Sequence, residues 1–277
     1  MKAVDPSIRI LANGNDGNWF NTLLPLAGSY IDYINTSMYP TYGYKNYDYY
    51  AHTDIDYTNY SYLTQIVSAL KTSGYSNRVK LIVTEFNAAG FVGSNTAMNW
   101  SDGNDLGHAL ASFQIGADFM NDKDIFFSSF WNLRWYYGYQ PTIPWQPTDS
   151  DPKTVFNAAD NQGNLNPNGQ SVALLYNNVF GAMVNAESDN QLIRSYACLD
   201  KTSGKMNVFL VNKDHSSQAV KISLKNISKT SGQVSVFGGT GDTDSKPTLK
   251  KQKDVTLTGN TLTLTLSGVS ITLIQFN

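Results

Sequence analysis

Six residues, Val79-Lys80-Leu81-Ile82-Val83-Thr84, form a nearly continuous apolar run, and a carboxylate, Glu85, follows it directly. A run of this kind marks a strand covered on both faces of a parallel sheet. Residues 7–12, 30–37 and 124–131 also read as strands. Helical spacing fills the intervals, at residues 19–26, 61–72 and 105–120. Residues 134–168 read as a long loop rich in Tyr, Trp, Pro, Asn and Asp, and residues 170–184 as a closing helix. Strand, helix, strand, helix requires parallel strands joined by crossovers. In such folds the chemistry gathers just beyond the carboxyl ends of the strands.

After about residue 187 the pattern changes to short, often alternating segments at residues 192–199, 206–212, 220–224, 234–237, 255–257, 262–266 and 270–276. Ser-Gly, Gly-Gly and Asp-rich turns separate them, which predicts an antiparallel β-sandwich. The lysines between Lys213 and Lys253 are expected on solvated strand faces. The fold class expected is therefore α/β plus all-β.

Composition narrows the partners. A net charge of -2 leaves no electrostatic footprint for nucleic acid or an anionic membrane. No apolar run approaches the roughly 20 residues of a membrane span. Met1-Lys2-Ala3-Val4-Asp5-Pro6 contains no apolar signal-peptide core. Cys198 stands alone, so an internal disulfide is excluded and a small buried hydrophobe is expected. His52, His108 and His215 are scattered without cysteine partners or a Gly-x-Ser-x-Gly elbow, which argues against zinc and a serine nucleophile. His108 is expected in the core. Gly14-Asn15-Asp16-Gly17 lacks phosphate-loop spacing and reads as a turn. Four Asn-x-Ser/Thr sequons, at Asn35, Asn59, Asn99 and Asn226, are close to chance in so Asn-rich a chain. Aromatics make up 13%, many beside Asn, Gln and Asp in loops. Sugars present apolar C–H faces and a rim of hydroxyls, so such loops suit a sugar.

The chain has two glutamates, Glu85 and Glu187, against twenty aspartates. A carboxylate closing a buried strand is costly unless paired or hydrogen-bonded. It therefore reads either as a salt-bridged structural group or as a catalyst facing a pocket, and the second reading is preferred. Glu187 lies in a polar stretch and is expected at the surface. The second strand ends near Tyr39, and the fourth ends in Phe130-Trp131-Asn132-Leu133-Arg134-Trp135. Trp131 suits a platform under a sugar ring, with core packing as its competitor. Asn132 and Arg134 suit hydroxyl partners.

Val83-Thr84-Glu85-Phe86-Asn87 resembles the strand-seven nucleophile motif of clan A glycoside hydrolases. Residues 1–10 resemble the approach to barrel strand five in families 39 and 51. The Tyr39 segment resembles their strand six, Phe130-Trp131-Asn132 their strand eight, and the tail their C-terminal β-sandwich. The resemblance implies that residues 1–186 form the C-terminal half of a (β/α)8 barrel, strands five to eight, and residues 187–277 the sandwich. It implies a retaining hydrolase of arabinosyl or xylosyl linkages in plant polysaccharide, extracellular, with no cofactor and no metal. Glu85 would attack the anomeric carbon, with Tyr39 hydrogen-bonded to it. Asn87, Trp131, Asn132, Arg134 and Trp135 would contact substrate. Ser37 or Met38 stands where these families carry a strand-six histidine.

The family's acid/base glutamate follows an Asn, and no Asn-Glu pair occurs here. A complete barrel takes about 250 residues, more than precede the sandwich. The expectation is a chain completed by an N-terminal half-barrel fragment or a second chain, with a self-standing half barrel as the third possibility. The alternative is a non-catalytic carbohydrate-binding remnant.

Overall fold

The computed structural model describes residues 2–14, 16–41, 43–53, 55, 61–88, 100, 104–133, 157–160, 162–225, 227 and 229–277. The chain begins with β1 (Leu11–Asn13), α1 (Gly17–Ala27), β2 (Tyr33–Met38), α2 (Tyr47–His52), α3 (Ser61–Thr72), β3 (Lys80–Phe86), α4 (Leu106–Asn121), β4 (Ile125–Phe130) and α5 (Pro167–Tyr176). Strands β1 to β4 form a sheet in sequential order, every pair parallel. Crossover helices account for that order, since parallel neighbours cannot be joined by a tight turn. Side-chain caps start three of the helices: Asp16 for α1, Asn46 for α2 and Asp105 for α4 each accept a backbone N–H of the first turn. Asp16 and Gly17 therefore serve a helix start, and Gly14 lies under the Trp19 ring, where a Cβ would collide with it.

The second part comprises β5 (Ala182–Val184), β6 (Ile193–Leu199), β7 (Met206–Asn212), β8 (Gln218–Ser223), β9 (Ser231–Gly238), β10 (Thr248–Lys251), β11 (Val255–Thr256), β12 (Thr261–Leu266) and β13 (Ser270–Phe276). One antiparallel sheet runs β10-β9-β13-β7-β6-β5, with β11 also paired to β9, and β8 pairs with β12 in a second. Val208, Leu210, Val234, Ile274 and Phe276 from the larger sheet share a core with Leu262 and Leu266 from the smaller one.

Helix α4 joins the two parts. Nearly every residue from Leu106 to Phe119 is buried, as expected of a helix apolar all round. Phe119 meets Phe86 of β3 edge to face at 5.5 Å. On the other side Phe113 lies 5.5 Å from Phe209 of β7 and 6.3 Å from Tyr196 of β6. The Tyr196 hydroxyl donates to Asp118 at 2.7 Å. The loops of the antiparallel part also touch α2: the Tyr47 hydroxyl donates to the Lys213 carbonyl at 2.8 Å, and His215 lies 2.9 Å from Asp48.

Several sequence expectations are corrected. The helix expected over residues 170–184 ends at Tyr176; a turn through Gly181 (φ 63°) leads into β5, which the antiparallel sheet captures. Helix α2 and strand β10 were not expected. β10 is exposed throughout and exists through its pairing with β9, so its own pattern carries no signal. Lys213 is not on a solvated face: it is 1% exposed, with Nζ 5.3 Å from the Tyr50 ring centre. Glu85 lies inside β3 rather than after it. Cys198 and His108 are buried as expected, and His108 stacks on Trp100 with Nδ1 2.8 Å from Asp105. Glu187 is exposed. No helix of the described residues is long and apolar enough to cross a membrane.

Candidate active site at the strand ends

The position of Glu85 follows from an irregularity in β3. Leu81 and Val83 are buried against the helices, and strict alternation would send Glu85 to the same apolar side. The pairing with β2 slips instead: Thr36 faces Val83, whereas Ser37 faces Glu85, leaving Thr84 as an extra residue. Such a bulge re-aims the side chains that follow it. Phe86 takes the buried place, edge-on to Phe119 and Phe130, and Glu85 is freed to the opposite, open face. Thr84 is held there as well, its hydroxyl accepting from Asn35 Nδ2 at 2.9 Å.

Strand β2 supplies the facing wall. Ile34, Thr36 and Met38 are buried at 0–1% exposure, so Tyr33, Asn35 and Ser37 share the other face. Met38 therefore belongs to the core, and Ser37 is the residue beside Glu85. Just past the strand, Tyr39 donates its hydroxyl to Glu85 Oε2 at 3.1 Å. Burial pushes the Tyr39 phenol well above its ordinary range, and the adjacent Glu85 charge adds to the rise. Tyr39 is thus a fixed proton donor to the carboxylate.

Strand β4 brings the third component. Trp131 meets the Tyr39 ring edge to face, 6.3 Å between centres at 83°. Its N–H donates to the Phe86 carbonyl at 2.9 Å, and its own carbonyl accepts from Asn87 Nδ2 at 2.7 Å. The Trp131–Asn132 peptide is cis. The Asn132 carbonyl accepts from Ala158 N at 2.9 Å, while its side-chain Nδ2 and Oδ1 are buried without a hydrogen-bond partner among the described residues.

Five of the seven residues expected at the site, Tyr39, Glu85, Asn87, Trp131 and Asn132, thus meet at the carboxyl ends of β2, β3 and β4. Arg134 and Trp135 lie outside the described residues. Asn35 and Thr84 were missed as wall residues, and of Ser37 and Met38, the two expected at the strand-six position, Ser37 is the one beside Glu85. The alternation in Tyr33-Ile34-Asn35-Thr36-Ser37-Met38 could have disclosed Asn35; the bulge that places Thr84 leaves no local signal. No group of three or more His, Cys, Asp or Glu able to hold a metal ion occurs among the described residues. Chemically, the site offers an oriented carboxylate, a protonated phenol beside it, an indole and an amide.

No known family profile matches the sequence. No curated protein matches it either. Solved structures do match. An α-L-arabinofuranosidase from Thermotoga maritima, in complex with arabinose, aligns with a TM-score of 0.74 at 15% identity, over 99% of this chain and 58% of its own. The thermostable family 51 α-L-arabinofuranosidase of Thermotoga petrophila aligns with a TM-score of 0.75 at 15% identity, over 100% and 59%. A family 30 endoxylanase from Clostridium papyrosolvens gives 0.61 at 14% identity, over 99% and 57%. The chain therefore spans less than two thirds of these structures, and at such identities the likeness concerns the fold. In fold, the chain resembles clan A glycoside hydrolases, family 51 arabinofuranosidases among them.

Proposed function

We propose that this chain carries the nucleophile-bearing part of a retaining glycoside hydrolase that acts on arabinosyl or xylosyl linkages of plant cell-wall polysaccharide. The observation that carries the reading is the Tyr39 hydroxyl donating to Glu85 Oε2 at 3.1 Å at the carboxyl ends of two adjacent parallel strands. In a double displacement the carboxylate attacks the anomeric carbon, forming a glycosyl-enzyme that water then hydrolyses. The Tyr39 hydrogen bond keeps one carboxylate oxygen occupied and leaves the other for attack. The Trp131 ring, fixed against Tyr39, suits the apolar face of a sugar. Asn132 is assigned to a sugar hydroxyl from its place beside Trp131 in the sequence. Arg134 and Trp135 are assigned to the same substrate surface from sequence.

On this reading residues 1–186 are the C-terminal half of a (β/α)8 barrel and residues 187–277 a β-sandwich, in an extracellular protein. The reaction needs a second carboxylic acid about 5–5.5 Å from the nucleophile. The other glutamate of the chain, Glu187, is exposed and accepts from Asn185. The acid is therefore assigned to a further half-barrel segment or chain. That same observation favours a second reading, a carbohydrate-binding remnant without turnover.

Hydrolysis of an aryl arabinofuranoside by the chain and by Glu85→Gln is the test. Loss of activity in the variant supports the nucleophile, and equal rates remove it. If the chain is inactive on this substrate, an activated substrate that needs little acid assistance should still label Glu85 covalently. Absence of any label favours the remnant.

A further inference from the structure

The wiring beneath the site points to a role for Asn87 that its strand-end position alone does not disclose. Asn87 is 0% exposed, so it is enclosed by protein rather than open to a ligand. Its amide Nδ2 donates to the Trp131 carbonyl at 2.7 Å, and the neighbouring Phe86 carbonyl accepts the Trp131 N–H at 2.9 Å. The pairing of β3 with β4, which shifts register after Leu81 and again between Val83 and Phe86, ends at Phe86 and Phe130. The Trp131 N–H bond closes that last pair, and the Asn87 bond carries the ladder one step further, with a side chain standing in for the backbone donor of the next position. Both polar groups of the Trp131 main chain are thereby fixed by β3. The carbonyl that Asn87 holds belongs to the peptide leading into Asn132, so the plane of that peptide, and the direction of both side chains, depends on this bond.

The connection then returns to its origin. The Trp131 ring abuts Tyr39, and Tyr39 donates to Glu85 of β3, two residues before Asn87. Four side chains from three strand ends make a closed loop: Asn87, Trp131, Tyr39, Glu85. We propose that Asn87 is a positioning residue, which sets Trp131 and through Tyr39 the nucleophile, and does not itself touch substrate. The proposal rests on the nucleophile reading of Glu85 for its catalytic consequence, though not for its structural one.

Two measurements test it separately. In protein with 15N-labelled tryptophan, the Trp131 indole resonance is assigned by its loss in Trp131→Phe. Asn87→Ala should displace that resonance while leaving the other indoles in place; an unmoved Trp131 resonance overturns the proposal whether or not Glu85 reacts. Asn87→Gln, which keeps the donor, should return the resonance toward its original position. The second measurement is saturation kinetics of Glu85 labelling by an activated glycoside. A loss of about tenfold in the maximal labelling rate corresponds to ~1.4 kcal/mol and is the expected effect of Asn87→Ala. A weakened half-saturation constant with an unchanged maximal rate would identify a direct substrate contact and overturn the positioning role. Should the unaltered chain fail to be labelled, the nucleophile reading falls, and the indole spectrum still decides the role of Asn87.

Discussion

Removing one oxygen atom tests the core of the site. In Tyr39→Phe the ring that meets Trp131 is kept, and the donor to Glu85 Oε2 is lost. A hydrogen bond to a charged group contributes about 1.5–3 kcal/mol. The observed separation of 3.1 Å is longer than the roughly 2.5–2.7 Å of strong O–H···O⁻ contacts, which places this one at the lower end. A loss of ~1.5 kcal/mol in the orientation of the carboxylate corresponds to about tenfold in rate. The assay is the second-order rate at which an activated glycoside labels Glu85, followed by intact mass, with peptide mapping to place the label. Folding is checked by circular dichroism. Labelling of Tyr39→Phe within twofold of the parent, at an unchanged spectrum, would refute the claim that Tyr39 orients the nucleophile.

The same pair gives a titration test. Burial and the Glu85 charge both hold the Tyr39 phenol above its ordinary range, and only the second is removed in Glu85→Gln. Since burial is the larger cause and remains in the variant, ultraviolet difference titration should show no Tyr39 ionisation before alkaline unfolding in either protein; a tyrosine step below the unfolding pH that Tyr39→Phe removes would contradict the buried, protonated phenol. For stability, Phe113→Ala empties a position of α4 that is 0% exposed and packed against Tyr196 and Phe209 of the antiparallel sheet. Such a truncation costs ~4 kcal/mol. With an unfolding entropy of about 2.1 cal/mol/K per residue, this lowers the melting temperature by roughly 7 °C. A calorimetric drop below about 2 °C would contradict the packing described.

What could be read from the sequence, and what could not, divides along physical lines. The parallel strands announced themselves because a strand covered on both faces needs a largely apolar run, which residues 79–84 supply almost without a break, and because segments of helical spacing alternate with the strands. The carboxylate at the end of one run and the Tyr-Pro and Trp-Asn sequences at the ends of the others were legible for the same reason. The bulge at Thr84, opposite Thr36 and Ser37, was not, because it is a property of how two strands pair and not of either strand alone. Without it, alternation would place Glu85 on the apolar side. Strand β5 was read as helix because residues 177–184 carry apolar side chains at spacings that fit either state, and its pairing with β6 decides the outcome. Lys213 looks solvated in a lysine-bearing stretch, yet the Tyr47 hydroxyl and the Tyr50 ring, some 160 residues earlier, enclose it.

A last consequence concerns α4, which presents almost no surface to water. A helix of this kind has little neutral sequence space, since any enlargement meets Phe86 on one side or Phe209 on the other. Exchanging residues 187–277 for the counterpart from another protein would leave Phe113, Asp118 and Tyr47 facing strangers. Recombination here must carry α4 together with the strands that cover it, so the unit of inheritance is larger than either sheet.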